Sequence, residues 1–163
     1  VAGVSWFDAM KFCRWLSDAS GRTVDLPTEA EWEWAARGND GRKYPWGADR
    51  PDAQRAVFYR KRGVATGRIG ERPEGRGPFG AEDQAGNVWE WCRTKWSDYE
   101  AQPRIDNCQL DDVSDEAPRV LRGGSWSNLA RNLRCASRVW HGPGDRGRRV
   151  GFRVVVRPPS RSH

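Results

Sequence analysis

Tryptophan, glycine and proline together limit what this chain can fold into. Ten Trp, 18 Gly and 10 Pro occur among 163 residues, of which only 37% are hydrophobic. Aromatic side chains must therefore supply much of the buried area, and the Gly and Pro residues predict a backbone made largely of turns and loops. A disordered chain would lack these aromatic residues. We expect a single domain over residues 1–157 and a tail at 158–163.

The charged residues favour no particular class of partner. The net charge is +6, and the chain has 24 Arg against 4 Lys. Because the Arg residues are spread along the chain and no known DNA- or RNA-binding motif occurs, we expect no nucleic-acid partner. No apolar run approaches the roughly 20 residues of a membrane span, and no signal peptide is visible.

The cysteines give no support to a zinc centre. Cys13, Cys92, Cys108 and Cys135 include no Cys-x-x-Cys pair, and the chain has only two His. A zinc site is therefore not expected. Two disulfides and four free thiols are both compatible with this even count.

Two helices are indicated by their capping residues. Ser5, followed by Asp8, predicts the start of the first helix, and Gly21 predicts its end. Thr28, with Glu31 three residues later, predicts the start of the second. The apolar residues at helical spacing, expected to face inward, are Ala9, Phe12, Cys13, Leu16 and Ala19 in the first helix and Trp32, Ala35 and Ala36 in the second, which Gly38 ends.

Three short strands are predicted between long irregular segments. Residues 86–92 read as a turn that enters a strand with two Trp on one face. Residues 119–122 form a second strand, and apolar residues at period two over 150–156 predict a final strand. Residues 39–80 and the acidic stretch 93–117 show no sustained periodicity. This order predicts an α+β domain with low regular secondary structure, two helices plus short strands.

Six motifs occur in one order along the chain. They are Val4–Ala9, Leu26–Glu33, Tyr44–Gly47, Ala85–Trp91, Arg122–Trp126 and Gly151–Arg153. This series resembles the formylglycine-generating enzyme (sulfatase-modifying factor) domain family. The resemblance implies a C-type-lectin-like fold of the formylglycine-generating-enzyme type. It also implies an N-terminal strand region that this sequence lacks.

The resemblance argues against the oxidase activity of the family. The family's enzymes bind copper through two cysteines shortly after the Gly-Gly-Ser-aromatic motif. Here Asn128 stands where the first of these cysteines would be, and the stretch that would contain the second has no cysteine. Without a thiolate pair, neither copper binding nor thiol exchange is available, so we expect no copper and no enzymatic activity.

The resemblance also bears on two other cysteines. It implies that the disulfide partners of Cys13 and Cys135 would stand at the positions that Val154 and Ala36 occupy here. Cys13 and Cys135 are therefore expected to be buried thiols.

Cysteine usage then gives an expectation about the compartment. Cys92 could pair with Cys108, but a reduced protein is the simpler interpretation. Unpaired cysteines favour the cytoplasm, whereas surface display would be open to a chain with a further segment before Val1.

A calcium site is implied around the Gly-Asn-Val-Trp-Glu motif. Carried over by position, its ligands would be the carboxylates of Asp83 and Glu90 and the carbonyls of Gly86 and Val88. Hard oxygen ligands of this kind suit Ca²⁺. The alternative is that Glu90 simply pairs with an Arg. A second calcium site of the family is expected to be lost, because Val57 stands at its ligand position.

A second branch with this fold is the variable proteins of diversity-generating retroelements, whose diversified region lies near the C-terminus. The frame of that region resembles residues 119–126 here, then Arg131–Asn132, Arg138, Pro143, Asp145–Arg146 and residues 150–153. Adenine-directed mutagenesis yields a residue set without Lys, Glu, Gln, Met or Trp, and residues 127–149 contain none of the first four, although Trp140 is an exception. The residues expected to be displayed are Ser127, Asn128, Leu129, Asn132, Leu133, Val139, Trp140, His141, Gly142, Gly144, Gly147, Arg148 and Arg149.

The displayed set carries the functional hypothesis. Leu129, Val139 and Trp140, exposed together with Arg around them, would form a binding hot spot. The alternative is that Leu133 and Val139 belong to the core and Trp140 is a packing residue. We therefore predict a monomeric, non-catalytic ligand-binding protein whose partner is a protein or another macromolecule. The competing hypotheses are a sulfatase-modifying-factor-family enzyme and a plain sensor or binding module without diversification.

Overall fold

The computed structural model describes residues 1–60, 63, 65–98 and 116–158. In these ranges the chain forms two α-helices, six short strands and two single-turn 3₁₀ helices. The α-helices are α1 (Trp6–Ser20) and α2 (Glu29–Arg37), and the 3₁₀ helices are Pro73–Gly75 and Ala130–Leu133. The strands are β1 (Thr23–Asp25), β2 (Trp89–Lys95), β3 (Arg119–Arg122), β4 (Arg138–His141), β5 (Val150–Gly151) and β6 (Val155–Arg157).

Both predicted helices form, and both begin with the predicted caps. The Ser5 hydroxyl accepts from the backbone N–H of Asp8 at 3.1 Å, and the Asp8 carboxylate accepts from the N–H of Ser5 at 2.9 Å. Thr28 and Glu31 make the same reciprocal pair at the start of α2. Gly21 ends α1 in the left-handed conformation, with φ of 66°. Two orphan backbone donors are thus satisfied at the start of each helix.

The buried face of α1 differs from the prediction. Trp6, Ala9, Met10 and Cys13 are buried, whereas Phe12 is 40% exposed. The helix begins at Trp6, so the i, i+4, i+7 stripe that faces the core starts one turn earlier than the sequence periodicity suggested. Leu16 is half-buried and Ala19 is exposed, so the C-terminal turn of the helix contributes little to the core.

The strands form two sheets. In the larger sheet the order is β4-β3-β2-β5, with β3 antiparallel to both of its neighbours and β5 parallel to β2. The smaller sheet pairs β1 with β6 in antiparallel register, which places the C-terminal strand beside the segment between α1 and α2. The architecture is the predicted α+β arrangement of two helices with short strands in mixed sheets.

Three features of the strands were not predicted. The expected final strand is two strands, β5 and β6, which belong to different sheets. Strand β2 continues to Lys95, into the segment expected to be an acidic loop, and residues 99–115 of that segment lie outside the described residues. Strand β4 lies within the segment expected to be displayed. Because it is a strand, its successive side chains face opposite sides of the sheet.

Tryptophan contributes to the core less than the composition suggested: four of the ten Trp are buried, whereas Trp15, Trp34 and Trp140 are more than half exposed. Trp6, Trp89 and Trp91 belong to one buried cluster between α1 and the larger sheet, and Trp32 belongs to a second cluster between α2 and the sheet. The indole N–H of Trp91 donates to the Val4 carbonyl at 3.0 Å, so the ring is satisfied as well as buried.

Three cysteines are buried free thiols. Cys13 and Cys135 are both unpaired, and Cys135 Sγ lies 3.5 Å from the Ala36 carbonyl oxygen, beside the position implied for its lost partner. Cys92 is free as well, and Cys108 lies outside the described residues. Within the described part of the chain, no helix is long and apolar enough to cross a membrane.

Candidate functional site

The backbone at the start of the predicted display segment is held from outside that segment. Gly124 has φ of 77°, and a Cβ there would lie 2.8 Å from the Asn132 carbonyl oxygen, so the position requires glycine. The N–H of Trp126 donates to the Asn87 carbonyl at 2.8 Å, and the Asn128 carbonyl accepts from the N–H of Tyr59 at 2.9 Å. The path of this turn is therefore fixed largely by main-chain contacts.

Asn128, at the position of the lost copper-binding cysteine, belongs to a small hydroxyl–amide network. Its side-chain oxygen accepts from the hydroxyl of Ser125, which is fully buried, at 2.6 Å. The Ser125 and Ser127 hydroxyl oxygens are 3.2 Å apart. Asn128 is half-buried, so it contributes to holding the turn as well as to the surface.

Leu133 was wrongly placed among the displayed residues. It is 1% exposed and packs in a core cluster with Tyr44 and Phe58, whereas Leu129 is 44% exposed. The physical reason is the 3₁₀ turn over residues 130–133, which rotates Leu133 inward beneath the surface that Leu129 faces. Asn132, on the same turn, is half-buried.

Strand β4 divides the expected apolar patch. Trp140 is 53% exposed, but Val139 is half-buried and packs against the core cluster of α1. His141 lies on the same side as Val139, with its ring edge-on to Trp91 at a centroid distance of 6.4 Å. Alternate side chains of a strand face opposite sides, so Val139 and Trp140 cannot form one patch, and that expectation was wrong for Val139.

The turn after β4 lies against the start of α1. The buried Pro143, between the predicted display residues Gly142 and Gly144, accepts from the N–H of Trp6 through its carbonyl at 3.0 Å. Asp145 accepts from the Gly142 N–H at 3.1 Å and lies 3.3 Å from His141 Nδ1. Gly144 is exposed and Gly147 is half-exposed at the two ends of this turn.

A separate group of predicted display residues does converge. Arg148 places its guanidinium carbon 5.4 Å from the centroid of the half-buried Trp126 ring. Arg149 Nη1 donates to the Ser127 hydroxyl at 3.2 Å. Arg148 and Arg149 are both exposed. We call the group of Trp126, Ser127, Arg148 and Arg149 the Trp126 patch.

Most of the expected calcium ligands line a cavity outside the display segment. Asp83, Val88 and Glu90 line a cavity of about 420 Å³ together with Glu82 and Arg153, whereas Gly86 does not line it. The Asp83 carboxylate accepts from the Gly70 N–H at 2.7 Å through one oxygen. The cavity thus combines three carboxylates with one guanidinium.

Glu90 makes the arginine pair that was the alternative to calcium. Arg153 donates through Nε to Oε2 at 2.6 Å and through Nη2 to Oε1 at 2.7 Å. Trp32 Nε1 also donates to Oε2 at 2.6 Å. Burial lowers the pKa of the Arg153 guanidinium, but the charge and hydrogen bonds of Glu90 outweigh burial and leave that pKa raised.

These contacts leave limited room for a metal at Glu90. Among the described residues, Oε2 accepts two hydrogen bonds and Oε1 accepts one, so Oε1 retains a lone pair. The second oxygen of Asp83 has no donor within the described ranges. One oxygen each of Asp83 and Glu90 is thus open to a cation. Within the described residues, however, no group of three or more His, Cys, Asp or Glu side chains is arranged to hold a metal ion.

Sequence reasoning missed Arg153 and Trp32 as partners of Glu90. The Gly-Phe-Arg motif was assigned to the frame of the display segment, but Arg153 was given no partner. A buried Glu within a strand requires a cationic or donor partner, and that requirement was the available signal.

Comparisons with known proteins place this geometry in context. Residues 1–158 match the model of the sulfatase-modifying factor enzyme 1-like domain. The chain is 36% identical to a serine/threonine-protein kinase pkn1 of Chlamydia pneumoniae, covering 95% of this chain and 23% of the kinase. It is 35% identical to a formylglycine-generating enzyme of Streptomyces coelicolor, covering 95% of this chain and 52% of the enzyme. The chain thus spans from 23% to 52% of the length of these relatives.

A solved structure shares the fold over nearly the whole chain. Treponema denticola variable protein 1 superposes with a TM-score of 0.81 at 27% sequence identity, covering 97% of this chain and 71% of the other. The fold expected from the six motifs is therefore confirmed. Both of the relatives reported above are named as enzymes, whereas this structural neighbour is described as a variable protein.

Proposed function

This chain belongs to the sulfatase-modifying factor domain family, and we propose that it acts as a non-catalytic ligand-binding module whose diversified surface comes from residues 127–149. The observation that carries the proposal is the separation of frame from surface in the Trp126 patch. The turn is supported by two main-chain hydrogen bonds, one accepted by the Asn87 carbonyl and one donated by the Tyr59 N–H, while Arg148 and Arg149 are exposed. A binding surface can vary in sequence only if its backbone does not depend on the varied side chains.

The state of the thiols supports a non-catalytic role. Burial raises the pKa of Cys13 to about 12 and that of Cys135 to about 11, and it raises the pKa of Cys92 well above its ordinary value. The thiolate is the form that binds copper and attacks electrophiles. None of these three cysteines supplies a thiolate near neutral pH.

Oxygen uptake distinguishes this proposal from an oxidase. The protein is incubated with Cu(I) and a cysteine-containing sulfatase peptide, and dissolved oxygen is followed. We expect no consumption above that of the peptide and copper alone. Turnover that depends on the protein would overturn the assignment of a non-catalytic role.

The gene provides the direct test of diversification. We expect a near-copy of the DNA that encodes residues 120–153, differing at adenines and lying near a reverse transcriptase. If the genome contains no such copy, the diversification part of the proposal is wrong, and a fixed binding module is left.

Two leucines in the display segment test the boundary between frame and surface. Leu133→Ala should destabilise the fold by about 3 kcal/mol, because it removes a buried side chain and leaves a cavity. Leu129→Ala should change the free energy of unfolding by at most about 0.5 kcal/mol, since Leu129 lies at the surface. Urea denaturation of both variants measures the difference. Equal losses would show that residue 129 is also part of the frame.

We also propose that Ca²⁺ binds at Asp83, Glu90 and the Val88 carbonyl. Ligand binding to the folded state raises its melting temperature, so millimolar CaCl₂ should raise it and EDTA should reverse the change. The matched variant is Asp83→Asn, which removes one carboxylate and leaves the Glu90–Arg153 pair in place. A melting temperature that chelation leaves unchanged would refute the site.

A further inference from the structure

We infer that the exposed arginines of residues 127–149 bind an acidic segment of a polypeptide, through carboxylate groups. This inference rests on the proposed function, because it names the chemical class of partner for the same surface. It depends on how charge is distributed between this segment and the remainder of the chain.

The Arg residues are spread along the chain, but the net positive charge lies mostly in the display segment, because acidic residues are almost absent there. Residues 127–149 contain six Arg and one Asp, a formal charge of +5, while the whole chain carries +6. Two of the six arginines have carboxylate partners within the domain. Arg138 pairs with the buried Glu29 at 2.7 Å, and Arg146 pairs with Asp8 at 3.0 Å.

The other four arginines of the segment have no such partner. Arg131, Arg134, Arg148 and Arg149 are exposed, and none forms an ion pair with a carboxylate among the described residues. Several surface arginines elsewhere do form ion pairs, as Arg76 does with Glu82. The segment therefore carries a local excess of positive charge that a negative partner would neutralise.

The two arginines of the Trp126 patch are oriented by neutral groups. Arg148 lies over the Trp126 ring, and Arg149 donates to the Ser127 hydroxyl. A ring face and a hydroxyl restrict the side chains without neutralising their charge. Because this ordering precedes binding, less side-chain entropy is lost when a carboxylate binds. The planar guanidinium can then donate two parallel hydrogen bonds to one carboxylate.

The same contacts favour carboxylates over nucleic acid. Single-stranded nucleic acid is held by bases that stack on open aromatic faces. In the Trp126 patch the ring is half-buried, and Arg148 lies over one face of it. The patch thus offers charge and bidentate donors without an open stacking platform.

Fluorescence anisotropy with two labelled probes tests the inference. The first probe is a polyglutamate peptide of about ten residues, and the second is an oligothymidylate of similar length. We expect the peptide to bind the full chain at about 0.05 M NaCl and to be released at about 0.5 M NaCl, because the contacts are exposed and screened. We also expect the oligothymidylate to bind more weakly than the peptide.

Matched double variants locate the binding surface. Arg148→Gln with Arg149→Gln should weaken peptide binding about tenfold or more. Arg14→Gln with Arg22→Gln removes the same charge from exposed arginines outside the segment and should change binding by less than about twofold. Unchanged melting temperatures show that both variants are folded.

Three results would overturn the inference. Equal weakening by the two double variants would show that only net charge matters. Tighter binding of the oligothymidylate would assign the surface to nucleic acid. If the peptide does not bind at low salt, acidic segments are excluded as the partner. The proposed binding function would still be tested separately, by the search for a near-copy of the gene segment and by the Leu133→Ala and Leu129→Ala variants.

Discussion

Arg153→Met should lower the free energy of unfolding by about 3 to 5 kcal/mol, the range found when one partner of a buried ion pair is removed. Glu90 is buried, and Arg153 donates to both of its carboxylate oxygens. Methionine preserves much of the apolar part of the arginine side chain. Among the described residues, the Glu90 carboxylate would then keep only the hydrogen bond from Trp32. The substitution also removes the contact of Arg153 with the Glu82 carbonyl, which is 3.0 Å away.

The double variant Glu90→Gln with Arg153→Met separates the cost of an orphan charge from the cost of lost packing. Because glutamine is neutral and can still accept from Trp32, we expect the double variant to recover about 1 to 3 kcal/mol relative to Arg153→Met. Guanidinium denaturation, with the slope checked for constancy, measures all three proteins. A loss below about 1 kcal/mol for Arg153→Met would show that water solvates Glu90 adequately.

The elements that could be predicted from the sequence are those with local causes. The caps of α1 and α2 need only residues three apart, and both capping boxes form where the spacing places them. The two strands around Trp91 and Leu121 have local patterns as well. The fold itself was predicted in another way, from the resemblance that the six motifs carry when they occur in one order along the whole chain.

The parts that could not be predicted depend on contacts between distant residues. The Glu90–Arg153 pair joins residues 63 positions apart. Strand β4 forms because β3 supplies its hydrogen-bonding partner, so a period-two pattern of four residues gave too little signal alone. Leu133 has the same residue type as Leu129, and only the turn between them decides which is buried.

The candidate surface was predicted in composition but not in geometry. Ser127, Arg148 and Arg149 were expected to be displayed, and the structure brings them together beside Trp126. Their convergence requires the two ends of the segment to meet, which a linear pattern does not encode. The restraint on Ser127 and Asn128 by the buried Ser125 was likewise invisible to the pattern.

Gly86→Ala should destabilise the fold by about 3 to 5 kcal/mol, because a methyl group there meets main chain as well as strain. Gly86 has φ of +83°, and a Cβ would lie 2.2 Å from the Val57 carbonyl oxygen. That carbonyl accepts from the Asn87 N–H, and the Gly86 N–H donates to the Gly123 carbonyl, both at 2.8 Å. The displaced atoms therefore belong to the backbone that fixes the start of the display segment.

Gly80→Ala is the matched control, since Gly80 has nearly the same φ without the close contact. Its φ is +80°, and a Cβ added there would meet no described atom within 4 Å. The control should cost about 1 to 2 kcal/mol from the positive φ alone. The difference between the two variants in urea measures the clash with Val57. Equal losses of unfolding free energy would mean that the backbone around Val57 shifts at little cost. The backbone that supports residues 123–128 would then be less rigid than its hydrogen bonds indicate.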